Sequence, residues 1–496
     1  MIMRLSQAHL SEANALVKPN ENNKKSKVGI VHLGFGAFHR AHQALITDAV
    51  IKEKGGDWKI VGVTWSAVGL QQDMLAQDCL YTVGVGYDSQ IDLNIIGSIE
   101  TVLNSTQIEQ VMGYMCDPQV KVVSLTVTEK GYCHNPASGD LDLNHPLIQH
   151  DLKNIDQPKS AIGFLVSAMR YRYLNGIAPF TPLSCDNLPE NGHVLEKVVL
   201  QFAQQLDQEF YLWVKGNMKF PCTMVDRIVP RTTDNDIARI EAALGMEDKS
   251  CVMTEPFLQW VIEDKFVNDR PAWEKTSIAN VQIADDVVPF EEMKLRLLNG
   301  THSTMAYLGY LSGYQTVAET IQDPNFKTFV RYLMDVEITP SIKIEGINLD
   351  DYKDQLIERY ENTALQHRTW QIAMDGTQKI PQRFLQTIHY SLDNGIPIDG
   401  LCLALAGWMR YVGGVDEKKE AIDVQDPLKQ TLADVWQHAG SDLEKAVDGF
   451  LALQSVFDKE LASNPIFRAT LQSALEKLFA EGAKSSVASF VVERNL

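Results

Sequence analysis

The sequence lacks the cysteine patterns of a metal-binding or disulfide-rich protein. Its seven cysteines form no C-x-x-C pair, and their number is odd. Neither a zinc site of the usual spacing nor a disulfide framework is therefore indicated. Such cysteine usage is typical of the reducing cytoplasm, which is the compartment that we predict.

Long apolar runs are also missing. The nearest approach, Leu401 to Trp408, stops at Arg410, well short of the roughly 18 consecutive apolar residues of a membrane span. Residues 1–26 carry polar and charged groups where a secretory signal needs an uninterrupted apolar region. We therefore expect no membrane segment, and residues 1–26 are predicted to be a short mobile lead-in.

Positive charge is scarce relative to negative charge. The chain has 45 Lys and Arg against 64 Asp and Glu, a formal net charge of −19. A protein that binds nucleic acid would need a positive face, so nucleic acid is not an expected partner. With 496 residues, 45% of them hydrophobic, the chain is long enough for two or three domains with a large core.

The first clear pattern is a strand, a glycine turn and a helix. From Lys27 an apolar, β-branched run leads to Gly34-Phe35-Gly36, and helical spacing follows as far as Gly55. A second strand pattern over residues 58–64 completes a βαβ unit with a parallel strand pair. Further strand patterns over residues 80–85, 120–128 and 180–184 alternate with helical patterns over residues 161–173 and 193–206, to about residue 285. A Rossmann-type α/β domain is therefore predicted over residues 27–285.

From residue 286 onward the apolar positions recur mainly at helical spacing. The longest such segments are residues 290–311, 326–334, 349–360, 381–392, 398–411, 429–436 and 465–479. A mostly α-helical C-terminal domain is therefore predicted over residues 286–496. No repeat with a period of 20 to 50 residues is present.

The glycine turn is a candidate cofactor site. A turn between strand and helix can hold a dinucleotide pyrophosphate, because glycines permit close approach and the helix N-terminus supplies N–H groups. His39 replaces the third glycine of G-x-G-x-x-G, so a turn that merely connects two elements is the alternative. The predicted cofactor-binding residues here are Gly34, Phe35, Gly36, Ala37, Phe38 and His39.

The identity of the dinucleotide is less clear from the sequence. An acidic residue that holds the adenosine ribose of NAD is expected at the end of the second strand. No Asp or Glu follows that strand before Asp73, and no clustered Arg pair stands there either. The missing arginines favour NAD, and NADP is not excluded.

A helix that begins after Pro289 carries a candidate proton-transfer site. At about 100° per residue, Glu291, Asn299 and His302 lie within about 140° of Lys294. Apolar residues surround the helix, so Lys294 should be buried, and burial lowers a lysine pKa towards that of a usable base. Either Lys294 exchanges a proton with a substrate hydroxyl that Asn299 and His302 position, or Lys294 and Glu291 form an ion pair inside the core.

A metal site is not predicted. His39 and His42 form the only closely spaced histidine pair, and no third ligand follows at a recognisable spacing.

Several motifs together resemble the mannitol dehydrogenase family of long-chain polyol dehydrogenases, from about residue 28 to residue 482. The most specific is Lys294-x4-Asn299-x2-His302. The others are Gly34 to His42, Leu125 to Tyr132, Ser184 to Asn187 with Asn191-Gly192, Met224 to Pro230, and Arg368 to Arg383.

This resemblance implies a zinc-independent dehydrogenase with the substrate between a nucleotide-binding domain and a helical domain. Lys294 would be the catalytic acid and base. Asn187, Asn299 and His302 would hold the substrate oxygen, Glu291 would link Lys294 to water, and Asp226 would border the site. Thr128 and Glu129 would join the cofactor-binding residues.

The amino-acid sequence of residues 128–133 and 368–383 resembles that of the family branch that acts on sugar acids. The implied reaction is hydride transfer from NADH to the C5 keto carbon of D-fructuronate, which gives D-mannonate. The substrate carboxylate then needs a cation, and the candidates are Lys130, Arg368, Lys379 and Arg383. Because neutral Lys294 is the base in the reverse direction, oxidation should become faster as pH rises.

Other functions stay open at this point. A neutral-polyol enzyme such as a mannitol 2-dehydrogenase, or a tagaturonate reductase, would use the same lysine. A catalytically silent nucleotide-binding regulatory protein is a third possibility, although it would have no need of Lys294, Asn299 and His302 together. The sequence leaves the oligomeric state open.

Overall fold

The computed structural model describes residues 3–65, 68–87, 90–135, 138–278, 280–365 and 367–496. Backbone contacts divide the chain into two compact units, Met1–Val288 and Pro289–Leu496.

All of the named strands lie in the N-terminal unit. They are β1 (Val28–Leu33), β2 (Lys59–Thr64), β3 (Tyr81–Tyr87), β4 (Gln90–Ile96), β5 (Ile99–Asn104), β6 (Val122–Leu125), β7 (Thr181–Ser184), β8 (Thr223–Asp226), β9 (Val252–Thr254), β10 (Gln259–Glu263) and β11 (Val281–Ala284). The largest sheet has the order β5-β2-β1-β6-β7, and all of its strand pairs are parallel. Its carboxyl edge therefore gathers the chain after β1, β6 and β7.

Helices of the N-terminal unit connect these strands. They are α1 (Glu21–Lys25), α2 (Ala37–Ala41), α3 (Gln43–Lys54), α4 (Val68–Ala76), α5 (Ile108–Cys116), α6 (Thr128–Gly131), α7 (Pro146–Lys153), α8 (Ala161–Leu174), α9 (Asn191–Leu206), α10 (Gln208–Asn217) and α11 (Asp234–Leu244), with a 3₁₀ turn at Trp273–Lys275.

Side chains that alternate along β1 and β2 enter two different apolar clusters. Val31 and Val63 pack in a cluster that includes Phe164 of α8. Ile30 and Ile60 pack in another, which includes Ile46 of α3. Because neighbouring residues of a strand point to opposite faces, both faces of the parallel sheet are covered, as in a Rossmann-type domain.

Two smaller sheets accompany the parallel one, with the orders β4-β3-β9 and β11-β10-β8. Each contains an antiparallel pair. Of these six strands, only β3 corresponds to a strand pattern that we identified in the sequence. The others are short or lie where polar residues interrupt the alternation.

The N-terminal segment differs from the predicted mobile lead-in. Leu5 and Ala13 are buried in a cluster with Leu93 and Leu244, and the backbone N–H of Leu5 donates to the Glu247 oxygen. Polar residues separate these apolar side chains along the chain, so their shared packing partner was not visible locally. Residues 3–26 therefore form part of the N-terminal unit.

The C-terminal unit consists of helices and turns. Its α-helices are α12 (Val288–Met293, which begins one residue before the unit), α13 (Thr301–Thr304), α14 (Val317–Gln322), α15 (Pro324–Tyr332), α16 (Leu349–Glu361), α17 (Thr369–Ala373), α18 (Gly376–Ile380), α19 (Gln386–Asn394), α20 (Asp399–Tyr411), α21 (Lys429–Ala439), α22 (Leu443–Leu451), α23 (Lys459–Ser463), α24 (Pro465–Glu481) and α25 (Ala483–Glu493). Segments Lys294–Gly300, Met305–Gly309, Leu333–Ile338 and Pro381–Leu385 are π-helical, and Thr339–Ser341 and Thr363–Leu365 are 3₁₀ turns.

Helix α20 contains the longest apolar run of the sequence and is mostly buried within the C-terminal unit. Among the described residues, none of the helices has both the length and the apolar character needed to cross a bilayer. The predicted fold class, a Rossmann-type domain followed by a mostly helical domain, is confirmed.

Candidate functional site

The glycine turn after β1 is fixed by backbone packing. Gly34 has a φ of +96°, which favours glycine. A Cβ atom on Gly34 would lie 2.2 Å from the Thr126 carbonyl oxygen. The N–H groups of Gly34 and Phe35 both donate to the Val63 oxygen at 2.9 Å. Gly34 is therefore required by the contact between neighbouring strands, whatever the turn binds.

Gly36 differs from Gly34 because the space beside it is open. It is the residue before α2, and the nearest atom to a Cβ built on it is the Gly34 oxygen at 3.6 Å. The Phe35 ring instead packs inward, where a Cβ on Gly62 would lie 2.5 Å from it. Ala37 and Phe38 are half-buried in the first turn of α2. Among these residues, Gly36 is the one whose missing side chain leaves room for a ligand.

The histidines near the turn are packing residues in this structure. His39 is buried and its ring stacks on His32, with ring centroids 3.4 Å apart. His32 in turn contacts the hydroxyls of Ser124 and Thr126, each at 2.8 Å. Burial holds the pKa of His39 well below its usual value, so the ring is neutral. His42 stacks separately on Phe38.

One other group of metal-ligand type is present in the described part of the chain. Ligand atoms of His193, Cys222 and Glu263 lie within 4.8 Å of one another. Glu263 already pairs with Lys265 at 2.5 Å and accepts the Cys222 backbone N–H at 3.0 Å. These contacts give Glu263 a structural role, and we assign no metal chemistry to the group.

The carboxylate of Asp186 organises the loop after β6. It accepts the backbone N–H groups of Val127 at 3.1 Å and Thr128 at 2.8 Å, and the Tyr132 hydroxyl at 2.8 Å. Burial raises the pKa of Asp186 to about 6, while these three bonds oppose the shift. They hold Thr128 at a φ of +63° and so fix the start of α6, where Glu129 and the exposed Lys130 follow.

The role of Asp186 was not predicted from the sequence, although the residue stands in a quoted motif. The available signal was its position directly after β7, which pairs with β6. Polar residues that follow adjacent parallel strands meet at the same sheet edge. Asn187, the predicted substrate contact, comes next in the chain and is exposed.

Asn191 links this edge to β8. It is fully buried, and its amide nitrogen donates to the carbonyl oxygens of Asp186 and Thr223, each at 2.9 Å. Its amide oxygen accepts the Thr223 N–H at 2.9 Å. Three residues further on, β8 ends at Asp226, which is buried. Asn191 is therefore a structural residue, and Asp226 stays a predicted border of the site.

In the C-terminal unit, Lys294 is buried, as predicted, with 6% of its surface exposed. Glu291 lies three residues earlier, in the first turn of α12, and is also buried. The expected angles between side chains need correction, because Lys294–Gly300 is π-helical. In a π-helix the backbone hydrogen bonds join residues five apart. Asn299, five residues after Lys294, therefore lies about one turn from it and closer to its side of the helix than in an α-helix. Such π segments are frequent at functional sites.

Two polar side chains on the same helix as Lys294 have buried atoms without a hydrogen-bond partner among the described residues. These are Nδ2 of Asn299 and Nε2 of His302, in side chains that are each 7% exposed. Buried polar atoms in native proteins are nearly always hydrogen-bonded, so each exception requires an explanation. A ligand oxygen at this helix would satisfy both.

His302 is held neutral by its surroundings. Its pKa is well below the usual value, first because of burial and then because of nearby His367, Arg359 and Arg383. Its ring lies 4.8 Å from the Tyr360 ring, measured between centroids. A neutral imidazole can donate or accept at Nε2, depending on its tautomer. His302 can therefore bind a hydroxyl or a carbonyl oxygen.

The four candidate carboxylate-binding cations have different environments. Arg383 donates from Nη1 to the Asn299 carbonyl at 3.4 Å and to the Ser303 hydroxyl at 2.9 Å. Lys379 donates to the carbonyls of Ile372 and Met374. Arg368 is exposed before α17, and Lys130 is exposed in the N-terminal unit. Residues 288–311 form the continuous helix that carries Lys294, which we call the lysine helix. Among the described residues, Arg383 is the one of the four that forms hydrogen bonds with it.

Two further residues of this unit that the motif spacing did not reveal are Arg359 and His367. Both influence the pKa of His302, and His367 meets the His302 ring edge-on at 5.3 Å. They lie outside the K-x4-N-x2-H spacing, on segments that only the tertiary fold brings to this helix.

Comparison with known proteins agrees with this organisation. Residues 28–275 match the family described as mannitol dehydrogenase Rossmann domain, and residues 286–479 match the mannitol dehydrogenase C-terminal domain. The chain is 46% identical to the D-mannonate oxidoreductase of Escherichia coli K12 over 481 residues, which cover 96% of this chain and 98% of the relative.

Two solved structures are similar over nearly the whole chain. One is the Pseudomonas fluorescens mannitol 2-dehydrogenase in a ternary complex with NAD and D-mannitol, at 37% identity and a TM-score of 0.87, with 99% of both chains covered. The other is a substrate-free D-sorbitol dehydrogenase, at 30% identity and a TM-score of 0.89, with 98% of this chain and 100% of that chain covered. The predicted resemblance is confirmed: the chain is an oxidoreductase of the mannitol dehydrogenase family.

Proposed function

We propose that this protein is an NAD-dependent oxidoreductase that interconverts D-fructuronate and D-mannonate, with Lys294 as the catalytic acid and base. The observation that carries the proposal is the pair of buried, partnerless atoms on the Lys294 helix, Asn299 Nδ2 and His302 Nε2. The sugar acid is supported by the 46% identity to a D-mannonate oxidoreductase.

In the direction of reduction, NADH supplies a hydride to the keto carbon. Protonated Lys294 gives a proton to the carbonyl oxygen as negative charge develops there. The amide of Asn299 donates a hydrogen bond to the same oxygen, and His302 orients it. Lys294 recovers its proton from water by way of Glu291. In oxidation, neutral Lys294 removes the proton of the substrate hydroxyl. Asn187 and Asp226 are proposed as further substrate contacts.

The glycine turn fits a dinucleotide at Gly36. The residues proposed to hold NAD are those of the turn and of the β6 loop: Gly34, Phe35, Gly36, Ala37, Phe38, His39, Thr128 and Glu129. Gly34 acts through the backbone and His39 through packing, whereas Gly36 leaves space for the pyrophosphate. The strand end that would reveal a ribose-binding residue includes Ser66, which lies outside the described residues.

Substitution of the two glycines by alanine should separate these roles. G36A should fold with a melting temperature within about 2 °C of the wild type, since its Cβ meets nothing closer than 3.6 Å, and should bind NADH at least about 10-fold more weakly, because close approach to the pyrophosphate is lost. G34A should be destabilised by several kcal/mol, about the cost of a backbone clash combined with a positive φ. Calorimetry and NADH titration measure both. Unchanged NADH affinity in folded G36A would contradict this cofactor site.

A neutral-polyol activity is the second candidate. It is favoured by the 37% identity to a mannitol 2-dehydrogenase whose structure contains NAD and D-mannitol. Reduction of tagaturonate would use the same residues and a sugar acid of different stereochemistry. A catalytically silent role is disfavoured by the burial of Lys294 beside two unsatisfied polar atoms.

The proposal is tested by initial rates of NADH and NADPH oxidation with D-fructuronate, D-tagaturonate and D-fructose, each over a range of concentrations. We expect the highest kcat/KM with D-fructuronate and NADH. A preference for D-fructose would keep the lysine chemistry and move the protein to the polyol branch. If none of the keto sugars or keto acids gives a measurable rate, the regulatory alternative is favoured.

We infer that the reaction takes place in the cytoplasm, with a small sugar acid as the partner molecule. All seven cysteines are free thiols, which agrees with a reducing compartment.

A further inference from the structure

We propose that Arg383 binds the carboxylate of a sugar-acid substrate and thereby selects keto acids over neutral keto sugars. The inference rests on the proposed function, because it assigns the specificity residue of the same site.

The first argument is the attachment of Arg383 to the lysine helix. Its Nη1 donates to the Asn299 carbonyl and the Ser303 hydroxyl, on either side of His302. Its own backbone also approaches that helix, since a Cβ built on Gly300 would lie 3.1 Å from the Arg383 oxygen. The guanidinium is therefore positioned next to Asn299, whose Nδ2 is partnerless.

The second argument is charge. Arg383 is half-buried, and burial lowers its pKa to about 10, opposed only by Tyr307. The side chain therefore stays cationic at neutral pH. Among the described residues no Asp or Glu forms an ion pair with it, and both of its hydrogen bonds go to uncharged oxygens. A desolvated charge without a protein counter-ion is costly, and a substrate carboxylate would neutralise it.

The third argument is geometry. Both hydrogen bonds that Arg383 forms with described residues use Nη1, so within that part of the chain Nε and Nη2 are available to a ligand. A guanidinium edge binds the two oxygens of a carboxylate through parallel hydrogen bonds. Lysine presents a single point of charge and does not reproduce this arrangement.

The other predicted cations are less suited. Lys379 is occupied by two backbone carbonyls at the end of α17. Burial and the nearby Arg383 lower its pKa to about 8, against the effects of Asp375 and Asp426. Arg368 and Lys130 are exposed, where an ion pair with a carboxylate contributes little. The matched control for Arg383 is Arg410, a half-buried arginine of the same unit that already pairs with Glu417 at 3.0 Å.

The test compares R383M, R383K and R410M with the wild type in steady-state reduction of D-fructuronate by NADH. For R383M we expect the KM to rise about 100-fold, from loss of a buried charge-paired hydrogen bond, while kcat falls less than about 5-fold. R383K keeps the charge and loses the two-pronged contact, so an increase of about 10-fold is expected. R410M should change KM by less than about 3-fold.

Some outcomes would overturn the assignment. A folded R383M or R383K with the KM of the wild type would show that another group binds the carboxylate. A loss confined to kcat, with KM unchanged, would indicate that Arg383 only positions the lysine helix. If R383M does not fold, the R383K result decides. If the wild type itself reduces keto sugars and no keto acid, the proposed substrate is wrong, which is a different outcome from failure at Arg383 alone.

Discussion

Replacement of Lys294 by methionine should lower kcat for keto-acid reduction by about 10³-fold, because the carbonyl oxygen then lacks its proton donor. Methionine keeps most of the volume of the lysine side chain. NADH affinity should stay within about 2-fold of the wild type, since the proposed cofactor residues lie in the Rossmann-type domain. Stopped-flow or steady-state absorbance at the NADH band measures the rate, and NADH fluorescence measures the binding.

A matched control for K294M is K353M. Lys353 is also a buried lysine of the C-terminal unit, but it is paired with Asp335 at 2.5 Å and Asp350 at 2.7 Å. K353M should lose stability and keep the kcat of the folded enzyme. If K294M and K353M retain equal turnover, Lys294 is a structural lysine, which was the alternative that the sequence left open.

The pH profile offers an independent check on Lys294. Reduction uses the protonated amine, and oxidation uses the neutral amine. As pH rises through the pKa of Lys294, kcat for D-fructuronate reduction should fall and kcat for D-mannonate oxidation should rise. Profiles that move in the same direction for both reactions would argue against one group serving as acid and base.

Replacement of Asn299 by leucine should separate activity from stability. We expect kcat to fall about 10²- to 10³-fold, the usual cost of removing a donor to a developing oxyanion. The melting temperature should stay equal or rise, because the Nδ2 atom of Asn299 is buried without a partner among the described residues, and removal of an unsatisfied polar atom costs little. Thermal unfolding and steady-state kinetics on the same preparations measure both quantities.

The control for N299L is T304V. Thr304 is buried in the same stretch of helix, and its hydroxyl donates to the Gly300 carbonyl at 3.1 Å, so that polar group is satisfied within the protein. T304V should leave kcat within about 3-fold of the wild type. Loss of stability in N299L without loss of kcat would show that Asn299 is a core residue and not an oxygen donor.

The Arg383 and Lys294 predictions concern different groups of the substrate. Lys294 acts on the reacting oxygen, so its loss should appear in kcat. Arg383 acts on a carboxylate that does not react, so its loss should appear mainly in KM. A variant series that shows this division would support both assignments at once.

Local sequence patterns determined a large part of this structure. The apolar strand, the glycine turn and the helix that follow Lys27 form one continuous unit, and their order alone predicts a parallel βα element. Helical periodicity after residue 286 predicts the helical domain, because the same spacing of apolar residues recurs over many turns. The burial of Lys294 also followed from the apolar residues that surround it on its own helix.

Other features depended on contacts between distant segments. Leu5 and Ala13 are buried because β4 and α11 lie against them, and the sequence around them is polar. The π-helical winding of Lys294–Gly300 changes which residues share a side, and no composition or spacing distinguishes it from an α-helix. The partners of Asp186 come from a loop about 58 residues earlier in the chain.

The sequence by itself determined the two kinds of domain, the glycine turn and the lysine helix, because each is set by residues that are close neighbours in the chain. Only the tertiary structure decided which cation contacts that helix and which polar atoms are buried without a partner. Arg383 is 84 residues from Asn299, and its selection among four candidates depends on packing, which removes water from some groups and leaves others solvated.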